Sequence, residues 1–303
     1  TNAETRVAEG YDIPAVEAWI SENTDYFEPP FIWTRLEGGH SNLTYRLEDS
    51  SGKKAVIRRP PMGELLPKAH DMNREWSLIA AFAPHGFPVP EPIGFCDDLS
   101  VTGALFYIMG FAGGRPLFKV EDTLEWVPEH QRTTLAYSFI DTLADMHVLD
   151  PDAIGLTSLG KKEDYIGRQI KAWYRSWVAS VDYAELDDPR AHEFKDYFLE
   201  NQPAQVTASV VHGDYYLHNC LFSSDSNVSA VLDWELATLG DPLADLGYTL
   251  RAWPEEENDP YLEPTAPTAV PGLPLRAELA QRYAERTGFP IELLDYYVGF
   301  NHW

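Results

Sequence analysis

Apolar residues recur along residues 12–23 at Ile13, Val16, Trp19 and Ile20, the spacing of one face of an α-helix. After Pro29 and Pro30 the period changes. Three β-prone runs follow at residues 31–39, 41–49 and 53–61, and Ser50-Ser51-Gly52 supplies a hairpin turn between the last two. Residues 68–85 return to helical spacing and are closed by Gly86 and Pro88. Two further strands are expected at 90–98 and 104–111. Beyond Gly113 the pattern is mainly helical. Leu135, Phe139, Leu143 and Met146 share one face of a helix over 128–147, with Pro128 in its first turn. A Trp-rich helix is expected at 162–180 and another at 189–200. A compact β island over 209–222 and 227–237 interrupts them, helical texture resumes at Pro242, and a Pro- and acid-rich loop over 253–274 precedes two last helices. The outline is a small five-stranded lobe with one main helix, then a larger helical lobe holding a β island.

Composition narrows the function. The 303 residues include 23 Lys+Arg against 48 Asp+Glu, a formal net charge of −25. Such a chain lacks the basic footprint that nucleic acid or an anionic membrane surface demands. At 44% hydrophobic it is too apolar for a disordered chain. Cys96 and Cys220 form no metal-binding or disulfide spacing, which suits a reducing compartment. With no apolar run long enough to span a bilayer and no basic, apolar leader at the start, a cytoplasmic protein is expected. The pattern at the end carries no helix stop, so the chain is expected to continue past Trp303.

The strongest chemical signal lies in the β island. His212-Gly213-Asp214 is followed by Asn219, then by a strand and Asp233-Trp234-Glu235. Asp and Asn are common in turns, so either motif alone reads as turn chemistry. Together they match the order and spacing of kinase-type phosphoryl transfer, where one loop supplies a base and a metal ligand and a second Asp holds Mg²⁺. On that reading Asp214 accepts the proton of the attacking hydroxyl. Asn219 and Asp233 hold the Mg²⁺ that bridges the phosphates of ATP. Between the first two strands, Gly38 and Gly39 would let backbone N–H groups approach phosphates, although such pairs also serve plain hairpins. Arg58 on the third strand stands where a kinase lysine pairs with phosphates and with a helix glutamate, here Glu75. The competing reading is a surface Arg–Glu pair of little worth.

Residues 38–47, 56–61, 74–82, 106–114, 143–147, 212–222 and 231–246 together resemble the aminoglycoside phosphotransferase and choline kinase-like family. The stretches 56–61, 167–177 and 233–248 are most similar to its branch of kinase-like domains fused to acyl-CoA dehydrogenases. The resemblance implies an α+β, bilobal protein-kinase-like fold, with a nucleotide-binding lobe over residues 1–112 and a catalytic and substrate lobe over 113–303. It implies that Ser41 and Asn42 lie in the phosphate loop, that Met109 to Phe111 form the linker whose backbone meets adenine, and that Asp245 braces the loop of His212. His147 is expected to be a packed core histidine. The activity implied is ATP-dependent transfer of a phosphoryl group to a hydroxyl of a small molecule, aminoglycoside-like or hydroxyacyl-CoA-like. Arg168, Trp173 and Arg251 are the acceptor-binding candidates in the helical lobe. Arg58 in place of lysine, and Glu235 where a protein kinase has the glycine of its DFG motif, motivate an alternative: a non-catalytic nucleotide-binding module of the pseudokinase type.

Overall fold

Asp12 opens the first helix by accepting the N–H of Ala15 at 3.2 Å, with Pro14 in the first turn. The structure, a computed structural model, describes residues 7–36, 42–63, 71–184, 188–257 and 259–303. The chain divides into two compact units, Thr1–Gly113 with Leu232–Glu235, and Gly114–Val231 with Leu236–Trp303.

The first unit is built on an antiparallel sheet of β1 (Ile32–Arg35), β2 (Leu43–Glu48), β3 (Lys54–Arg59), β4 (Pro92–Cys96) and β5 (Phe106–Gly110), in the order β1-β2-β3-β5-β4. In β2 burial alternates, with Leu43, Tyr45 and Leu47 inside, as one covered face requires. Ile57 and Ile108, paired across β3 and β5, join them against Ile13, Val16 and Ile20 of α1 (Ile13–Asn23). The opposite face of β5 meets α2 (Met72–Phe82), where Trp76 lies 6.3 Å from Tyr107, so every residue of β5 is buried. The expected helix over 68–85 is shorter than its pattern: Asp71 caps α2 by accepting from Arg74, and Ala83–His85 tightens into a 3₁₀ turn before Gly86. Residues 68–70 of that expectation lie outside the described residues. A short helix, α3 (Leu99–Thr102), was not signalled by periodicity.

One short stretch departs from a contiguous division of the chain. Leu232–Glu235 belongs with the first unit because Trp234, almost fully buried, packs 5.1 Å from Phe82 and 6.1 Å from Phe87.

The second unit holds α4 (Val120–Trp126), α5 (Arg132–Val148), α6 (Tyr165–Ala184), α7 (Pro189–Glu200), α8 (Pro242–Leu250), α9 (Arg276–Thr287) and α10 (Leu294–His302). Helix α5 starts later than expected, because Pro128 precedes a 3₁₀ turn at Glu129–Gln131. Phe139, Leu143 and Met146 of α5 are fully buried. The β island forms two small sheets. β7 (Cys220–Phe222) pairs with β8 (Val228–Val231), and β6 (Ser209–Val211) pairs with β9 (Thr238–Gly240). Strand β9 is three residues long, too short for a period-2 signal, and is specified by its partner β6. Both cysteines are free and buried. Among the described residues no helix is long and apolar enough to cross a membrane.

Candidate active site

In the first unit β3 and α2 bring an ionic cluster together. Arg58 leaves β3 towards α2, and its Nε lies 3.3 Å from Glu75 Oε2 while a terminal nitrogen reaches Asp233 Oδ1 at 3.3 Å. Glu75, 1% exposed, also accepts from the Tyr107 hydroxyl at 2.8 Å and from the Asn42 amide at 3.4 Å. Burial raises the Glu75 carboxyl above the usual range, and Arg58 and the Tyr107 hydroxyl offset only part of that. Desolvation alone would lower the Arg58 guanidinium, but Tyr107, Glu75 and Asp233 hold it firmly protonated. Asp233 has a φ of 63°, the left-handed region that aspartate tolerates better than most residues. Met109 is buried within β5 and Phe111 just beyond it is half-exposed. The expected phosphate-loop residues Gly38, Gly39 and Ser41 lie outside the described residues.

In the second unit the loop from His212 to Asn219 is braced from behind. Asp245, in the first turn of α8, accepts the backbone N–H of His212 and, at 2.9 Å, that of Gly213. Gly213 has a φ of 82°, open to glycine at no steric cost, and this explains the glycine between His212 and Asp214. Behind Asp245, His147 is buried, 3.4 Å from that carboxylate and 2.6 Å from the Tyr283 hydroxyl. Tyr215 anchors the loop by donating to the Phe139 carbonyl and accepting Thr249 on its own, both at 2.8 Å.

This scaffold presents the Asp214 carboxylate. Asn219 donates to Asp214 Oδ2 and to its backbone carbonyl, each at 2.9 Å. His218 lies 3.5 Å from Oδ2, and the Tyr248 hydroxyl donates to Oδ1. Burial pushes the Asp214 carboxyl up, but the bonds from His218, Tyr248 and Asn219 outweigh it and leave the group below the usual range. The carboxylate is therefore ionised near neutral pH and 29% exposed, the state a proton acceptor needs.

The acceptor candidates separate. Arg251 caps α8 and lays its guanidinium 3.5 Å from the Tyr248 ring, one residue removed from Asp214. Trp173 instead stacks on Phe300 at 4.9 Å, and lines a cavity of about 560 Å³ with Trp177, Phe194, Phe198 and Trp303. Arg168 donates to the Lys161 carbonyl at 2.8 Å. Sequence reasoning missed Tyr107, His218 and Tyr248. Tyr248 carried a usable signal: it lies three residues after Asp245, on the same face of one helix.

Residues 32–280 match the model of the phosphotransferase enzyme family, and the chain belongs to that family. Acyl-CoA dehydrogenase family member 11 of Gallus gallus is 38% identical over 228 residues, covering 74% of this chain and 28% of the relative. The chain thus spans little more than a quarter of that relative's length. A solved structure from Ralstonia eutropha, described as a "putative aminoglycoside phosphotransferase", is 31% identical with a TM-score of 0.79, covering 96% of this chain and 85% of its own. Choline kinase of Cryptosporidium parvum shares the fold, with a TM-score of 0.66 at 14% identity over 96% of this chain and 87% of its own.

Proposed function

We propose that the chain transfers the γ-phosphoryl group of ATP to a hydroxyl of a small molecule, with Asp214 as the base. The observation that carries this reading is the Asp214 carboxylate, kept ionised and oriented by the Asn219 amide on a loop that Asp245 braces. Asp214 Oδ1 or Oδ2 takes the proton of the acceptor hydroxyl as its oxygen bonds to the γ-phosphorus and ADP leaves. Residues 1–112 are assigned the nucleotide and 113–303 the acceptor. Arg58 supplies the cation of the first set, with Asn42 beside it and the backbone of Gly38, Gly39 and Ser41 as further phosphate ligands. The adenine would meet the backbone of Met109 to Phe111.

The Asp233 carboxylate and the Asn219 side-chain carbonyl are hard oxygen donors that suit Mg²⁺, which takes one or two protein ligands and completes its shell with phosphates and water. When bound, Mg²⁺ would neutralise charge on the transferring phosphates.

Two acceptor classes have support. The Ralstonia neighbour favours an aminoglycoside-like polyol, the acyl-CoA dehydrogenase relative a hydroxyacyl-CoA, and Arg251 beside the base suits the anionic choice. The test is ADP release with MgATP across aminoglycosides, choline-like amines, sugars and hydroxyacyl-CoAs, repeated with Asp214→Asn. Acceptor-dependent turnover is expected to fall by about 10²–10⁴-fold in the variant, the usual worth of a positioned base. Turnover that survives the change would remove Asp214 from this role. ATP binding with no turnover on any acceptor would favour the non-catalytic module.

A further inference from the structure

The Tyr248 hydroxyl has no part in the proton transfer assigned to Asp214, yet it lies on that carboxylate. Tyr248 projects from α8 one turn beyond Asp245 and donates to Asp214 Oδ1, while Asn219 and His218 approach Oδ2. Its place is held from the other side: the Arg251 guanidinium stacks on the ring at 3.5 Å and also donates to the Tyr248 carbonyl. The Arg251 carbonyl in turn accepts Arg276 at 3.3 Å. Burial and the bond to Asp214 push the Tyr248 hydroxyl up to about 12, so it remains a neutral donor under working conditions.

A neutral hydroxyl donating to Asp214 is chemically what the acceptor itself must be. We propose that Tyr248 is a positioning residue that occupies Asp214 Oδ1 when no acceptor is bound, so that water is not deprotonated there and ATP is not hydrolysed in place of transfer. This rests on the phosphotransferase reading of the same site. Water would make the same kind of charge-assisted bond, but the Tyr248 hydroxyl is tethered on α8 at that oxygen, whereas a water must give up its freedom to bind there, so a transient water competes poorly. A hydroxyl acceptor held by its own binding contacts competes well, because it arrives already oriented. Discrimination between acceptor and water then comes from occupancy of the base, with no moving lid required.

Tyr248→Phe removes one oxygen and leaves the ring beneath Arg251. The experiment measures MgATP hydrolysis with no alcohol added, for the wild-type chain, Tyr248→Phe, Tyr248→Leu, and Tyr248→Phe combined with Asp214→Asn. Each variant's melting temperature is recorded. Hydrolysis is expected to rise about tenfold in both single variants, a part of the 10²–10⁴ that a positioned base supplies, and to vanish in the double variant. A role confined to packing would lower hydrolysis along with the melting temperature, so the opposite signs separate the two. Hydrolysis in folded Tyr248→Phe at or below the wild-type rate overturns the proposal, as does a rise that persists without Asp214. Failure of the parent reading shows elsewhere, as alcohol-dependent ADP release that survives Asp214→Asn.

Discussion

At the scale of single residues, Arg58 joins the ionic cluster of the first unit. Its side chain is 12% exposed and it lies between two carboxylates, Glu75 and Asp233. Removing one partner of a buried ion pair leaves an uncompensated charge, which is far more costly than the pair itself is favourable. Arg58→Ala is therefore expected to destabilise the protein by about 3 kcal/mol in urea denaturation. Combining it with Glu75→Gln should recover a large part of that loss, since the buried charge disappears and the amide oxygen still accepts from Tyr107. If the double variant is no more stable than Arg58→Ala, the Glu75 charge is not what Arg58 compensates. Arg58→Lys keeps the charge but not the fork that reaches both carboxylates, and should fall between wild type and alanine.

Among elements, the packing of α8 against α10 fixes where Asp245 and Tyr248 stand. The two helices approach tightly at Gly247, where an added Cβ would meet the backbone carbonyl carbon and the Cβ of Tyr297 at 2.7 Å. Backbone cannot give way as a side chain can. Gly247→Ala is expected to cost about 1–3 kcal/mol from overpacking, despite a helix-propensity gain of about 1 kcal/mol. Gly299→Ala in α10 is the matched comparison, because its Cβ would meet only the Phe198 ring at 3.8 Å, an ordinary contact. That change should be neutral or stabilising by up to about 1 kcal/mol. Equal thermal shifts for the two would show that close approach at Gly247 does not govern the crossing. Such elements were legible when they carried their own period: α1, α5, the antiparallel strands and the β7–β8 hairpin follow from spacing and turn residues. Helix α4 did not, because its seven residues are started by Asp122 accepting the N–H groups of Phe118 and Lys119, a local bond with no periodic trace. The same limit applies to the site. The His212–Asn219 loop could be read because its groups are neighbours in sequence. The Arg58–Asp233 contact spans 175 positions, and the packing of Trp234 on Phe82 and Phe87 exists only once the chain has folded.

For the whole molecule, the dominant feature of the sequence is its surplus of acidic groups. A net −25 repels itself in the folded state, where acidic groups are closer together than in the unfolded chain. Favourable pairs act in the opposite sense: Arg282 forks onto Asp141 and Arg286 onto Asp145, both linking α9 to α5. Exposed pairs of this kind contribute about 0–1 kcal/mol each and weaken with salt. Bases are fewer than half the acids, so repulsion among the surplus carboxylates exceeds what the pairs supply, and screening should be net stabilising. The Debye length falls from about 30 Å at 0.01 M salt to about 3 Å at 1 M. The melting temperature is therefore expected to rise over that range by about 2–4 °C, equivalent to about 1 kcal/mol. Sodium chloride and potassium chloride should act alike, since the cause is ionic strength. A flat or falling melting temperature in both salts would mean that the specific pairs outweigh the surplus. A rise in sodium chloride alone would point to cation binding rather than screening.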